Sequence, residues 1–221
     1  MRKKFIDKNR IPAVYRRIAP TYDLWARLTE TKARDICLEW AAIRNGESVL
    51  EIAVGTGQAF EKIVSANPDG RNEGIDITEP MLQRARQRMA SHPNANYRLA
   101  IGDAFDLEFA DASFDVIVNN YMFDLLPQDD FQPVLREFRR VLRRGGRLVL
   151  VNMAQGERWH HRLYERLYEL SPSLMGGCRG VSLSSEVEAA GFVDVSREYL
   201  AQLGFPSEVI SARLPPGKTP A

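Results

Sequence analysis

From Ser48 to Met153 the chain alternates between short apolar runs and stretches of helical periodicity. The runs SVLEIA (48–53), NEGIDI (72–77), NYRLAI (96–101), FDVIVNN (114–120) and GRLVLVNM (146–153) read as strands. Their near-continuous apolar content suits strands covered on both faces, as in a parallel sheet. Helices fill the gaps. Over Glu79–Met89, the side chains of Met81, Leu82, Ala85 and Met89 share one face, while Arg84, Arg86 and Arg88 point elsewhere. Thr78 is placed to cap that helix, with Glu79 and Pro80 in its first turn. Over Gln128–Arg144, Phe131, Val134, Leu135, Phe138, Val141 and Leu142 follow the i, i+3, i+4, i+7 rhythm. Asp129 and Asp130 open this second helix, Arg143 and Arg144 close it, and Gly145-Gly146 stops it. Such alternation predicts right-handed crossovers and an α/β, doubly wound sheet.

The last third changes character. ERWHHRLYERLYEL (157–170) reads as one more helix, and SSEVEAAGF (184–192) as a short one ended by Gly191. VDVSREYLA (193–201) and SEVISAR (207–213) are strands with no helix between them, which predicts an antiparallel hairpin at the sheet edge. The expectation is a mostly parallel seven-stranded sheet over 41–213. An N-terminal helical lid over 1–40 precedes it, where Ile18, Tyr22, Trp25 and Leu28 fall at helical spacing, and a flexible tail over 214–221 follows.

Composition narrows the partners. A length of 221 residues fits one domain with additions, and a net charge of +1 sets up no field that would attract nucleic acid. Cys37 and Cys178 lie far apart and form neither a metal-ligand spacing nor a disulfide framework, so no metal is expected. No apolar stretch reaches the length of a membrane span and no signal-peptide centre is visible, so a cytoplasmic location is expected. The start MRKKFIDKNR sets Arg2, Lys3, Lys4, Lys8 and Arg10 against Asp7. It reads either as a solvated tail or as a weak membrane-surface contact on anionic lipid, with Phe5 and Ile6 dipping in.

Candidate chemistry gathers at the strand ends, where open α/β sheets bind ligands. The first strand runs into Glu51-Ile52-Ala53-Val54-Gly55-Thr56-Gly57-Gln58, a turn whose glycines let the backbone approach a ligand closely. Asp76 closes the second strand 21 residues past Gly55, near the spacing of an acid that accepts from ribose hydroxyls. Gly102-Asp103-Ala104 follows the third strand and Asn119-Asn120-Tyr121 the fourth. A nicotinamide fingerprint asks for a third glycine three residues past the second, and Phe60 stands there instead.

These segments resemble the class I, Rossmann-like S-adenosylmethionine-dependent methyltransferases. VLEIAVGTGQ (49–58) is similar to their motif I, although that motif usually has glycine at Ala53. GIDITEPMLQRAR (74–86), GDAFDLEFADASFDVIV (102–118) and RRGGRLVLVN (143–152) resemble the segments that follow. The opening YRRIAPTYDLW (15–25) is similar to the start of the ubiquinone/menaquinone C-methyltransferase group and of related bacterial phospholipid N-methyltransferases. The resemblance implies S-adenosylmethionine as cofactor and S-adenosylhomocysteine as product. It implies Gly55 and Gly57 against the methionine portion, with Ala53 in the turn and Glu51 orienting the turn or the amino group. Asp76 would hold the ribose diol, with Ile77 and Met81 near the adenine and Asp103 and Ala104 recognising it. Asn119 or Tyr121 would line the wall nearest the sulfonium, and Tyr22 would close over the cofactor.

The acceptor side carries fewer signals. His160, Tyr164 and Tyr168 form a stripe on the helix at 157–170, where His160 or His161 is a candidate base and a surface helix is the other reading. Asp124, just past the fourth strand, is either an acceptor-orienting acid or a helix cap, and Tyr121 is a third catalytic candidate. Arg179, in the loop Gly176-Gly177-Cys178-Arg179-Gly180, either holds a phosphate or carboxylate or belongs to a mobile loop. The reading is methyl transfer to a small or amphiphilic acceptor, quinone-like or phospholipid-amine-like. The alternatives are a nicotinamide-dependent oxidoreductase and a non-catalytic relative that keeps the pocket.

Overall fold

The computed structural model describes residues 26–155 and 179–217. The predicted helix over 157–170, the segment around Tyr22 and the basic N-terminus lie outside the described residues. In chain order the elements are α1 (Thr31–Ala41), β1 (Ser48–Ile52), α2 (Gln58–Ala66), β2 (Arg71–Asp76), α3 (Glu79–Met89), β3 (Tyr97–Ile101) and β4 (Phe114–Asn120). Two short 3-10 turns follow, then α4 (Phe131–Val141), β5 (Leu142–Met153), α5 (Ser184–Ala189), β6 (Val193–Gln202) and β7 (Phe205–Arg213).

The seven strands form one sheet in the order β3-β2-β1-β4-β5-β7-β6. The first five are parallel, while β7 pairs antiparallel with both β5 and β6, as the helix-free connection predicted. Strand order reverses between β1 and β4, and the crevice outside their carboxyl ends is the ligand position for such a sheet. Side chains alternate between two buried layers. On one face Leu50, Ile52, Ile117, Leu148 and Leu150 pack against Val134, Leu135 and Phe138 of α4. On the other Val49, Val116, Val118, Val149 and Val151 meet Ala33, Cys37 and Ala41 of α1. No described helix is long and apolar enough to cross a membrane.

Three expectations are corrected. The expected boundary at residue 40 falls inside α1, whose Ala33, Cys37 and Ala41 pack in the core. The helix expected to run through Arg144 stops at Val141; Leu142 turns extended and pairs with Phe114, while Gly145 adopts a φ of 77°. Leu142 is buried in either geometry, so its apolar character could not mark the switch. The tail expected from residue 214 begins docked. Leu214 is buried and exchanges hydrogen bonds with Gly145 and Gly146, at 2.9 and 3.0 Å.

Candidate functional site

The turn after β1 is built on left-handed residues: Ala53, Gly55 and Gly57 have φ of 59°, 57° and 81°. Gly57 caps α2, and a Cβ there would lie 3.1 Å from the Cα and Cβ of Ala85, so the turn presses directly on α3. Ala53 takes the same backbone without a glycine's freedom, at a cost of about 1–2 kcal/mol. Strain kept at the mouth of a crevice is a signature of a functional turn. Bonds from Val54 N–H to Ile75 C=O (3.0 Å) and from Arg88 Nε to Thr56 C=O (2.9 Å) fix the turn to β2 and α3. Phe60, at the position of the absent third glycine, is fully buried against Val54, Val64, Ala85 and Met89. Its ring fills the space above Gly74, where an added Cβ would come within 2.9 Å of it.

Asp76 is the hub of the site. Its Oδ2 accepts from Gly55 N–H at 2.8 Å, and its Oδ1 accepts from Thr78 N–H at 2.8 Å and Thr78 Oγ1 at 2.7 Å. Burial pushes the Asp76 carboxyl up from its ordinary range, and these donors pull against that shift. Thr78 stands at the N-cap of α3 as predicted, yet its hydroxyl serves Asp76 instead of the helix's free N–H groups. The end of β2 thereby holds the glycine turn in place.

Around this hub lies an open cleft at the carboxyl ends of the strands. Ala53, Gly55, Asp76, Ile77 and Met81 line one side. Gly102, Asp103, Ala104 and Phe105 follow from the end of β3, and Asn120, Tyr121, Met122, Leu125 and Leu126 from the end of β4. Ile77 is 44% exposed, a large apolar side chain offered to the cleft. Asp103 turns its Oδ1 to Phe105 N–H at 3.0 Å, which shapes the loop after β3.

One end of the cleft is polar and buried. Glu51 is 1% exposed; its Oε1 takes a long contact from Asn120 Nδ2 at 3.4 Å, and its Oε2 has no partner among the described residues. Asn120 Oδ1 is also unpartnered. Desolvation pushes the Glu51 carboxyl up to about 8, with Asn120 and the Arg34 guanidinium pulling down and Asp76 adding to the rise. Arg34, buried on α1, hydrogen-bonds Gln58 at the start of α2 and pairs with Glu30 at 3.8 Å.

Several expectations shift. At the end of β4 it is Asn120, not Asn119, that reaches the cleft. Asn119 points into the opposite layer and donates from Nδ2 to Ile52 C=O at 2.8 Å. Gly57 and Glu51 lie behind the lining residues, and Tyr121 lies on the wall with a left-handed φ of 53°. The Tyr121 hydroxyl is bound to Ser207 at 2.9 Å, and burial pushes its pKa well above the ordinary phenol value. Asp124 is fully buried off the cleft wall, and its main-chain carbonyl accepts from Arg179 N–H at 3.1 Å. Arg179 donates from Nη2 to Leu126 C=O at 2.6 Å and lies 5.6 Å from the Phe131 ring centroid, which makes it a strut for the wall after β4. Tyr22, His160 and His161 lie outside the described residues. Thr78, which lines the cleft, and Arg34, which bears on Glu51 from α1, are not among the candidates that the sequence supplies. Among the described residues no cluster of His, Cys, Asp and Glu could hold a metal.

Fold and turn together define a Rossmann-like domain with a ligand cleft at its switch point. Comparison with known proteins gives the group. Residues 49–146 match the methyltransferase domain family. The chain is 30% identical over 151 residues to demethylmenaquinone methyltransferase of Lactococcus lactis subsp. lactis, a match covering 66% of this chain and 59% of that protein. It is 34% identical over 151 residues, with the same shares covered, to a ubiquinone/menaquinone biosynthesis C-methyltransferase of Paracoccus denitrificans. The chain thus spans about 59% of the length of these two relatives. Among solved structures, that of the [4+2]-cyclase SpnF superposes with a TM-score of 0.76 at 16% identity, covering 96% of this chain and 98% of the other. The described residues thus have a Rossmann-like fold in which residues 49–146 are similar to methyltransferase domains.

Proposed function

We propose that the protein transfers a methyl group from S-adenosylmethionine to a small or amphiphilic acceptor. The carrying observation is a pair of buried acceptors with no partner among the described residues, Asn120 Oδ1 on the cleft lining and Glu51 Oε2 behind it. Buried acceptors left unpaired are costly, so they mark the place of a donor. The ammonium of a methionine portion fits that place, and a nicotinamide dinucleotide carries no such cation. Arg34 gives the carboxylate of the same portion its counter-charge. Asp76, with lone pairs remaining beyond its three donors, takes the ribose diol. Ile77 and Met81 lie against the adenine, and Asp103 and Ala104 serve its edge.

The cofactor supplies a methyl group on a cationic sulfur, open to direct displacement. The chain has to align donor and acceptor and keep water out, and proximity of this kind supplies about 7–11 kcal/mol. Met122, Leu125, Leu126 and Phe105 make the wall after β4 and β3 largely apolar, which suits a quinone-like ring or the apolar part of a lipid amine. Relatives named for demethylmenaquinone favour the first. For an acceptor that must lose a proton, His160 is the proposed base. The basic residues before residue 11 would hold the protein against an anionic membrane presenting such an acceptor.

Calorimetric titration with S-adenosylhomocysteine and with NAD tests the cofactor; binding of NAD alone refutes the reading. Because a protein of this fold bears the name of a cyclase, binding does not establish transfer. Release of S-adenosylhomocysteine against a panel of quinols, lipid amines and small amines does.

A further inference from the structure

Glu51 is described above as one end of a ligand site, and its surroundings have a thermodynamic consequence that rests on that reading. The carboxyl is buried and, among the described residues, has one hydrogen-bonding contact, at 3.4 Å, to a neutral amide. From α1, Arg34 and the Cys37 thiol bear on it; from β2, Asp76; from β4 only the neutral Asn120. The Cys37 thiol is itself pushed up by burial and stays neutral. Arg34 is shared with Glu30 and Gln58, so Glu51 has no dedicated counter-ion among the described residues. A carboxyl so placed takes the neutral form to avoid the cost of a buried charge. An ammonium brought against its free oxygen reverses that balance, because an opposite charge at contact favours the ionised form.

We propose that seating the methionine end of the cofactor takes a proton off Glu51, so that binding and proton release are one coupled step. The balance is simple. The Glu51 O–H bond breaks, the proton goes to solvent, and the carboxylate is left paired with the incoming ammonium. Burial pushes the Glu51 carboxyl up to about 8, so the larger part of one proton leaves per ligand at pH 7. Affinity then rises by up to about tenfold per pH unit below that value and levels above it.

The test is calorimetric titration of the full chain with S-adenosylhomocysteine in two buffers of very different ionisation enthalpy, which counts protons directly. Methylthioadenosine, which keeps the adenosine and the sulfur but has no amino-acid group, is the second ligand. The expected result is the larger part of one proton released with S-adenosylhomocysteine and none with methylthioadenosine. Glu51→Gln should bind S-adenosylhomocysteine without release. Binding of S-adenosylhomocysteine with no release in the natural chain overturns the proposal and leaves the cofactor assignment standing. Release that persists in Glu51→Gln also overturns it, since the proton then comes from the ligand or another group. Should Glu51→Gln fail to fold or bind, the two ligands on the natural chain decide by themselves. Failure of both ligands to bind removes the cofactor assignment, and the proposal with it.

Discussion

Replacing Asp76 separates two roles that the structure places on one carboxylate. In the empty protein its oxygens accept three hydrogen bonds, from Gly55 N–H, Thr78 N–H and Thr78 Oγ1, at 2.7–2.8 Å. Bonds to a charged acceptor are worth about 1.5–3 kcal/mol each, and a buried donor left unmatched costs about 1–3 kcal/mol. Against this stands the cost of keeping a charge in a site where it is 7% exposed, the same cost that raises its pKa. Asp76→Asn keeps one accepting oxygen and turns an amide N–H₂ toward donors on the other side. The net expectation is a loss of about 1–2 kcal/mol in stability for Asp76→Asn and about 2–4 kcal/mol for Asp76→Ala. Binding should weaken separately, by about 1–3 kcal/mol, because an ionised acceptor for the ribose diol is lost. Urea unfolding without ligand reads the first effect and calorimetric titration with S-adenosylhomocysteine reads the second. Asp76→Asn at natural stability refutes the hub, and unchanged affinity refutes the ribose assignment.

Ala53 pays for a left-handed backbone at φ 59°, so Ala53→Gly should stabilise the protein by up to about 1 kcal/mol in urea unfolding. Gly57→Ala should destabilise by about 1–3 kcal/mol, since it adds that backbone cost to a contact 3.1 Å from Ala85; a neutral result would mean that α3 yields freely. Glu51 gives stability a pH slope of unusual sign. Burial pushes its folded pKa up to about 8, above the ordinary carboxyl value of 4.5, so the native state holds the extra proton between those values. Stability should therefore fall as pH rises from about 5 to about 8, by up to about 1.4 kcal/mol per unit, and flatten above. Glu51→Gln should lose that part of the slope, while Asp76, shifted the same way, keeps its own share; unfolding midpoints across that range check it.

Much of the fold was legible because its two periods differ so clearly. The central strands are short apolar runs with amphipathic helices in most of the links between them, and the helix-free link between β6 and β7 announced the antiparallel edge. Errors fell where one residue satisfies both periods. Leu142 continues the apolar face of α4 and also opens β5, and the geometry at Gly145 decided between them. The choice of Asn119 over Asn120 was an error of parity. Successive strand residues face opposite layers, and the sheet register sets Glu51 opposite Val118, so Asn120 shares the face of Glu51. Asp76 and its distance from the glycine turn were readable as a ligand feature. Its bonds to Gly55 and Thr78 were not, because a local acid-to-turn contact leaves no periodic trace. Arg34 was invisible for another reason: it reaches the site from a helix packed across the sheet, and no spacing along the chain records that approach.

The bond between Tyr121 and Ser207 joins residues 86 positions apart. A chain leaves the ribosome in the order in which it is made, so β1 to β5 are present before β7 exists. The glycine turn, Asp76 and Asn120 all belong to that first part, but the Tyr121 hydroxyl gains its bond to Ser207 only when the C-terminal hairpin docks beside β5. A nascent chain stalled before residue 207 would therefore hold the lining residues of the cleft without the hydrogen bond that ties one of them to β7.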